Sequence, residues 1–257
     1  MKIALAAAIC LFWASMTGWL LHREVFPSLH RPPSITYRSL LARMGFPHLD
    51  RFSVVVAGNS VGTIQTEYRR AAWGKGFEID NLLRARPGLG TPDIGEIQGS
   101  WTLHLDESYR PVQIDLVAQV PALGLERFEA QGWFKQELCI SYRINGGPAH
   151  ALTLACPPGT LFGTGVGWLG TIDDLHVGKT WHMTTVDLLS SLMSRQIQTA
   201  DLTCEVTGLD AQMIDGKEIP VFTAVARTAS GAASLWFSKT GELIRARIAG
   251  VELVRTY

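Results

Sequence analysis

Charge is scarce in this chain, and what there is balances. Lys+Arg and Asp+Glu each number 23, together 18% of 257 residues. Without a basic excess no nucleic-acid partner is expected, because phosphate binding draws on clustered Lys and Arg. Cysteine is scarce too, and four in this length are too few for a disulfide scaffold. Helical periodicity is confined to two short stretches, 37–44 and 187–195, the second with Asp187 as its N-cap. There is no internal repeat and no low-complexity segment. What is present is apolar: 47% of the residues are hydrophobic, which excludes a disordered chain.

Much of that hydrophobicity lies at the front. Ile3 to Leu21 is a run of nineteen residues without a charge, IALAAAICLFWASMTGWLL. As a helix it would span about 28 Å, one hydrocarbon core. Trp19 falls near its far end, where interfacial indoles are favoured. HREVFPSL follows and offers no small-x-small cleavage site, and Cys10 follows Ile9 rather than the small residue that acylation requires. The run therefore reads as a retained signal anchor over 1–21. Positive charges flank it almost evenly. Because long domains translocate largely regardless of charge, the expected placement is a single-pass bacterial inner-membrane protein with its body in the periplasm. Residues 22–46 read as a Pro-containing juxtamembrane connector. Its short helix and its Arg38 and Arg43 lie either in solvent or against anionic lipid headgroups.

From residue 47 onward the period is two. FSVVVAGNSVGTIQTEYRR predicts a hairpin turning near Gly58-Asn59, and IQGSWTLHL and PVQIDLVAQV a second one around 106–110. Strands over LERFEAQGWFK and ELCISYRIN follow, with a turn at Asn145-Gly146-Gly147. Four more, QTADLTCEVTG, IPVFTAVART, AASLWFSK and ELIRARIA, turn at Asp215-Gly216 and Thr240-Gly241. About ten strands with short connections predict a mainly β fold: one domain, 47–257, built as a strongly curved antiparallel sheet, a half or incomplete barrel. Its apolar concave face needs a cover, and a short helix or loop within 157–195 is the internal candidate.

The chemistry-bearing motifs are weak. Gly58-Asn59-Ser60-Val61-Gly62 has the spacing of a nucleophile elbow, but the elbow needs a helix after the serine and TIQTEYRR alternates like a strand. Gly165, Gly167 and Gly170 match a dinucleotide fingerprint without the following helix. Asp173, Asp174, His176 and His182 are too loosely spaced for a zinc site and read as a turn leading into a strand. His104 and His150 lie on strands with no partner evident. No catalytic residue, metal ligand or cofactor is therefore assigned. A hydrolase using Ser60 or the Asp173–His182 cluster is the alternative. Cys139 and Cys156 flank the Asn145 turn almost symmetrically, so a hairpin disulfide and buried thiols both stand, with Cys204 the odd one. Trp101, Trp133, Trp181 and Trp236 lie in strands and read as core. Trp73 and Trp168 fall in loops and are the candidate ligand-binding residues.

The anchor running into GWLLHREVFP, the hairpin VAGNSVGTIQTEYRR, VGKTWHMTTVDLLS and the closing pattern SLWFSKTGELIRARI together resemble membrane-anchored bacterial envelope β proteins, domains of unknown function. Those domains are distantly similar to the half-barrel lipoprotein-localisation carriers. The resemblance implies a half-barrel that binds, and it carries no catalytic residue. The expected function is thus a non-enzymatic periplasmic module binding a lipid, an apolar segment or an envelope partner protein.

Overall fold

The computed structural model describes residues 32–257 apart from 43, 73–74, 87–95, 122–123, 158, 163–170, 187–190, 192–193, 195, 215–216 and 230. The run 3–21 lies outside the described residues. Among them, no helix is long and apolar enough to cross a membrane. Ser34–Tyr257 pack as one unit. A short helix α1 (Tyr37–Leu41) leads into β1 (His48–Val56), β2 (Asn59–Arg70), β3 (Phe77–Ala85), β4 (Ile97–Leu105), β5 (Pro111–Val120), β6 (Leu125–Phe134), β7 (Leu138–Ile144) and β8 (His150–Leu154). The chain continues with β9 (Leu161–Phe162), β10 (Thr180–Val186), β11 (Thr199–Ile214), β12 (Lys217–Thr228), β13 (Gly231–Ser238), β14 (Leu243–Ile248) and β15 (Val251–Arg255).

All fifteen strands form one sheet, in the order β8 back to β1, then β15 back to β9. Every pairing is antiparallel except β9 with β10. Two-residue turns drive the hairpins. Ala57-Gly58 and Ala249-Gly250 each place two successive residues at positive φ, the geometry whose twist suits antiparallel strands, and Asn145-Gly146 does the same within the longer β7–β8 connection. The first turn sits one residue earlier than its sequence implies, and Asn59 already belongs to β2.

The sheet is not closed by a ladder, yet it must curl. Its edges, β8 and β9, are consecutive in the chain, and seven residue steps from Leu154 to Leu161 reach about 25 Å at most. A flat sheet of this many strands would be about 67 Å wide. Side chains bridge the gap where hydrogen bonds do not: the rings of Phe134 on β6 and Phe162 on β9 meet edge-on at 4.8 Å. The inner face is apolar, with Phe52, Ile79, Leu103, Trp181, Leu235 and Phe237 almost fully buried.

That face is covered by residues expected to be a connector. Thr36 and Ser39 form a capping box that starts α1. The helix then buries Tyr37, Leu40 and Leu41. The Tyr37 hydroxyl accepts the Phe162 amide at 2.7 Å, and the Ile35 amide donates to the His182 carbonyl at 2.8 Å. Within 157–195, Leu161, Phe162, Trp181 and Met183 are buried as parts of strands, and most of the helix expected over 187–195 lies outside the described residues. The segment 34–42 is therefore part of the packed body and not a solvated spacer.

Several expectations need correction. Trp133 is 40% exposed, and Trp236 lies beneath the guanidinium groups of Arg245 and Arg247 on the sheet's outer side. Neither is core, whereas Trp101 and Trp181 are. His104 does have partners, Asp115 at 3.3 Å and Glu78 at 3.4 Å, and His150 stacks on Tyr142 at 5.2 Å. Cys139 pairs with Thr153 in the β7–β8 ladder, so Cys156 is three residues out of register with it. Both thiols are free. Burial pushes the Cys156 thiol up to about 11 and that of Cys204 to about 12.

Candidate functional site

The antiparallel order puts the start of β1, the end of β15, the β13–β14 turn and the tip of the β11–β12 ribbon at one end of the sheet. α1 is joined to that end through Phe46, whose ring lies 5.3 Å from that of Phe77 at the start of β3. A cavity of about 370 Å³ opens here. Leu40 and Met44 give it an apolar wall. Among the described residues, His48, Asp173 and Glu242 are its ionisable groups.

A glycine assembles this corner. Gly241 has φ +87°, and a Cβ there would stand 1.9 Å from the Ile172 carbonyl oxygen. The bare backbone instead accepts the Ile172 amide at 2.8 Å, and Thr171 bridges to Glu242. Residues 171–173 are thereby laid against the β13–β14 turn, and Asp173 joins Glu242 in the cavity wall. The turn at Thr240-Gly241 is visible in the sequence; its partner segment, some seventy positions earlier, is not.

Behind His48 lies a buried ion pair. Asp50 is two residues along β1 and so on the same face. It is fully buried, and its Oδ1 accepts from Arg255 Nη2 at 2.5 Å and faces His48 Nε2 at 3.2 Å. Arg255 also donates to the Leu243 carbonyl at 3.3 Å, stands 3.8 Å from Glu242, and lies 5.7 Å over the Phe52 ring. Asp50 Oδ2 has no hydrogen-bond partner among the described residues. Burial in this interior raises the pKa values of Tyr37 and Tyr68 well above that of a free phenol.

The hydrogen bond to Asp50 raises the His48 pKa above its usual value near 6.5. The folded state therefore favours the imidazolium. That stabilisation is complete below the unfolded pKa and is lost as pH rises through the higher folded one. His48→Gln should thus cost more stability at about pH 5 than at about pH 8 in urea unfolding. Equal costs at both would show that the pair carries no charge.

The residues proposed for hydrolysis are not assembled. Ser60 lies in β2 opposite Val55, and its hydroxyl is 2.8 Å from that of Ser53. A strand follows it, so the elbow geometry is absent. Asp173 lines the cavity, while His182 stands on β10, 3.8 Å from the exposed Asp201. Asp173 and Asp174 form the predicted turn, their carbonyls bound by Lys179 Nζ. Among the described residues no group of His, Cys, Asp and Glu could hold a metal ion. Trp73 and Trp168, the ligand candidates from sequence, lie outside the described residues.

A second feature lies at the same end of the sheet. Past Val206 a bulge shifts the β11–β12 register, and the ribbon runs on beyond the neighbouring strands. Phe222 and Ala224 keep their place on the inner face. Leu209, Ala211 and Met213 continue that face along the ribbon, by alternation and by the pairing Leu209–Phe222. No described residue covers them: Leu209 is 64% and Met213 68% exposed. On the opposite face Gln212 Oε1 accepts from Arg245 Nη1 at 3.1 Å and ties the ribbon down.

Fold and site together define an open, barrel-like β module with a polar cavity and an apolar lip at one end. No family model matches the chain, and no curated protein matches it. Among solved structures it is similar to a β-barrel-like protein of the domain of unknown function DUF1849 from Brucella abortus. The identity is 12% and the TM-score 0.47, over 82% of this chain and 94% of that one.

Proposed function

We propose that this chain is a non-enzymatic binding module, anchored by residues 3–21 in the bacterial inner membrane with its body in the periplasm, that holds a lipid at the open end of its sheet. The observation that carries this reading is the exposed strip of Leu209, Ala211 and Met213, an inner face on which no described residue packs. Isolated apolar residues on a surface are ordinary; a strip that prolongs a core face marks a place for a guest. Each methylene buried there contributes about 0.8 kcal/mol, so the bound length of an acyl chain sets the affinity.

The test is native mass spectrometry of the full chain after mild detergent extraction. Wild type should carry bound lipid, and Leu209→Asp/Met213→Asp should lose most of it while staying folded. A wild-type chain free of lipid overturns the reading. A co-purifying protein in its place assigns the strip to an envelope partner instead.

A further inference from the structure

Independently of the lipid reading, we infer that the outer face of β5, β6 and β7 carries a second site, a groove that takes a neutral saccharide. A cavity of about 360 Å³ lies there, the size of a small-ligand site. Its side chains form a cross-strand grid. Gln131 on β6 stands between Asp115 on β5 and Ser141 on β7. Two residues along β6, Glu129 stands between Val117 and Arg143. Two residues the other way, Trp133 ends the groove with 40% of its surface exposed. The alternate positions on these strands, Ile114, Phe128 and Ile140 among them, are buried on the inner face.

The two carboxylates are held ready. Asp115 Oδ2 accepts from Gln113 Nε2 at 2.8 Å and faces His104 Nε2 at 3.3 Å, and Oδ1 has no partner among the described residues. Glu129 Oε1 takes both bonds from Arg127, from Nε at 2.8 Å and from Nη2 at 2.5 Å, and Oε2 is likewise without one among the described residues. Each is thus fixed through one oxygen and open at the other. Such an acceptor is already oriented for a hydroxyl, and O–H···O⁻ bonds are among the stronger hydrogen bonds. Gln131 and Ser141 add an amide and a hydroxyl between the two, and Arg143 adds a guanidinium with no ion-pair partner among the described residues. The Trp133 indole offers a flat apolar surface that the C–H face of a pyranose ring can cover, leaving the ring's hydroxyls to the polar grid.

Other guests fit this lining less well. β6 is hydrogen-bonded on both sides, so no peptide can add to it as a strand. A phosphate or a uronate would meet Asp115 and Glu129. An acyl chain would strip water from the polar side chains and return no hydrogen bond. A neutral ring, polar at its rim and apolar on its face, satisfies both parts of the groove.

The experiment titrates full-length protein, in an amine-oxide detergent that carries no sugar, with maltohexaose, cellohexaose and chitohexaose and with a galacturonic acid hexamer, read by calorimetry. At least one neutral hexamer should bind with a Kd below about 1 mM, and the acidic one about tenfold more weakly or worse. Trp133→Ala and Gln131→Ala, both at exposed positions, should each weaken the neutral sugar about tenfold with cooperative unfolding preserved, while Trp133→Phe keeps part of the affinity. Leu209→Asp/Met213→Asp should bind sugar as wild type does, which separates this groove from the lipid strip. Failure of all three neutral hexamers to bind overturns the inference. So does a sugar affinity that neither Trp133→Ala nor Gln131→Ala reduces, or a preference for the acidic hexamer. Each of these leaves the lipid reading standing.

Discussion

Arg255→Met should destabilise the protein by about 3–5 kcal/mol, the largest effect expected of any polar substitution here. The reason is not the strength of the Arg255–Asp50 pair but what its loss leaves behind. Asp50 is fully buried, and its remaining neighbour, His48 at 3.2 Å, is only half its compensation. A carboxylate stranded there must either stay charged in an apolar interior or take up a proton. Asp50→Leu/Arg255→Met removes both charges and fills the space with carbon, so it should recover most of the loss. Urea unfolding of wild type, single and double variants measures this as a cycle. A double variant as unstable as the single one would show that packing of the guanidinium over Phe52, and not the orphaned charge, sets the cost.

Leu41→Ala should cost about 2–5 kcal/mol, as a deeply buried leucine does when its site cannot collapse. Leu41 is 1% exposed although it belongs to a helix of five residues. So short a helix has little stability of its own, and packing on the sheet holds it. Arg38→Ala on the same helix, at an exposed position, should change stability by no more than about 0.5 kcal/mol. If both substitutions prove equally mild, α1 is a tether beside the sheet and not part of its interior.

The hairpins were legible because their physics is local. A turn such as Asn145-Gly146 between alternating strands announces itself within a dozen residues. β3 was not legible, since FEIDNLLRA sets polar groups on both faces. Asn81 is buried and satisfied by the Thr66 hydroxyl at 2.6 Å, and Glu78, also buried, is paired with Arg69 at 2.8 Å from the neighbouring strand. Only the partner strands make that sequence sensible. β15 follows a turn whose first residue, Ala249, has positive φ, an uncommon choice that carries no signal. The candidate site was illegible for a similar reason. It gathers His48, Asp173 and Glu242 from three distant stretches, and two of those residues read as ordinary strand-end or turn positions. The burial of α1 was hidden because the Arg and Pro around it speak of a surface linker, while the capping box and three buried side chains speak of packing.

The pairing of β1 with β15 is the one hydrogen-bonded join between the two halves of the sheet. Phe52 meets Arg255 across it, about two hundred positions later in the chain. A nascent chain can therefore lay down one wing, β1 to β8, and then most of the other, with no ladder linking them until residues 251–255 have left the ribosome. Removing residues 251–255 would take out the keystone between two otherwise finished wings, so neither wing can be joined to the other before that strand exists.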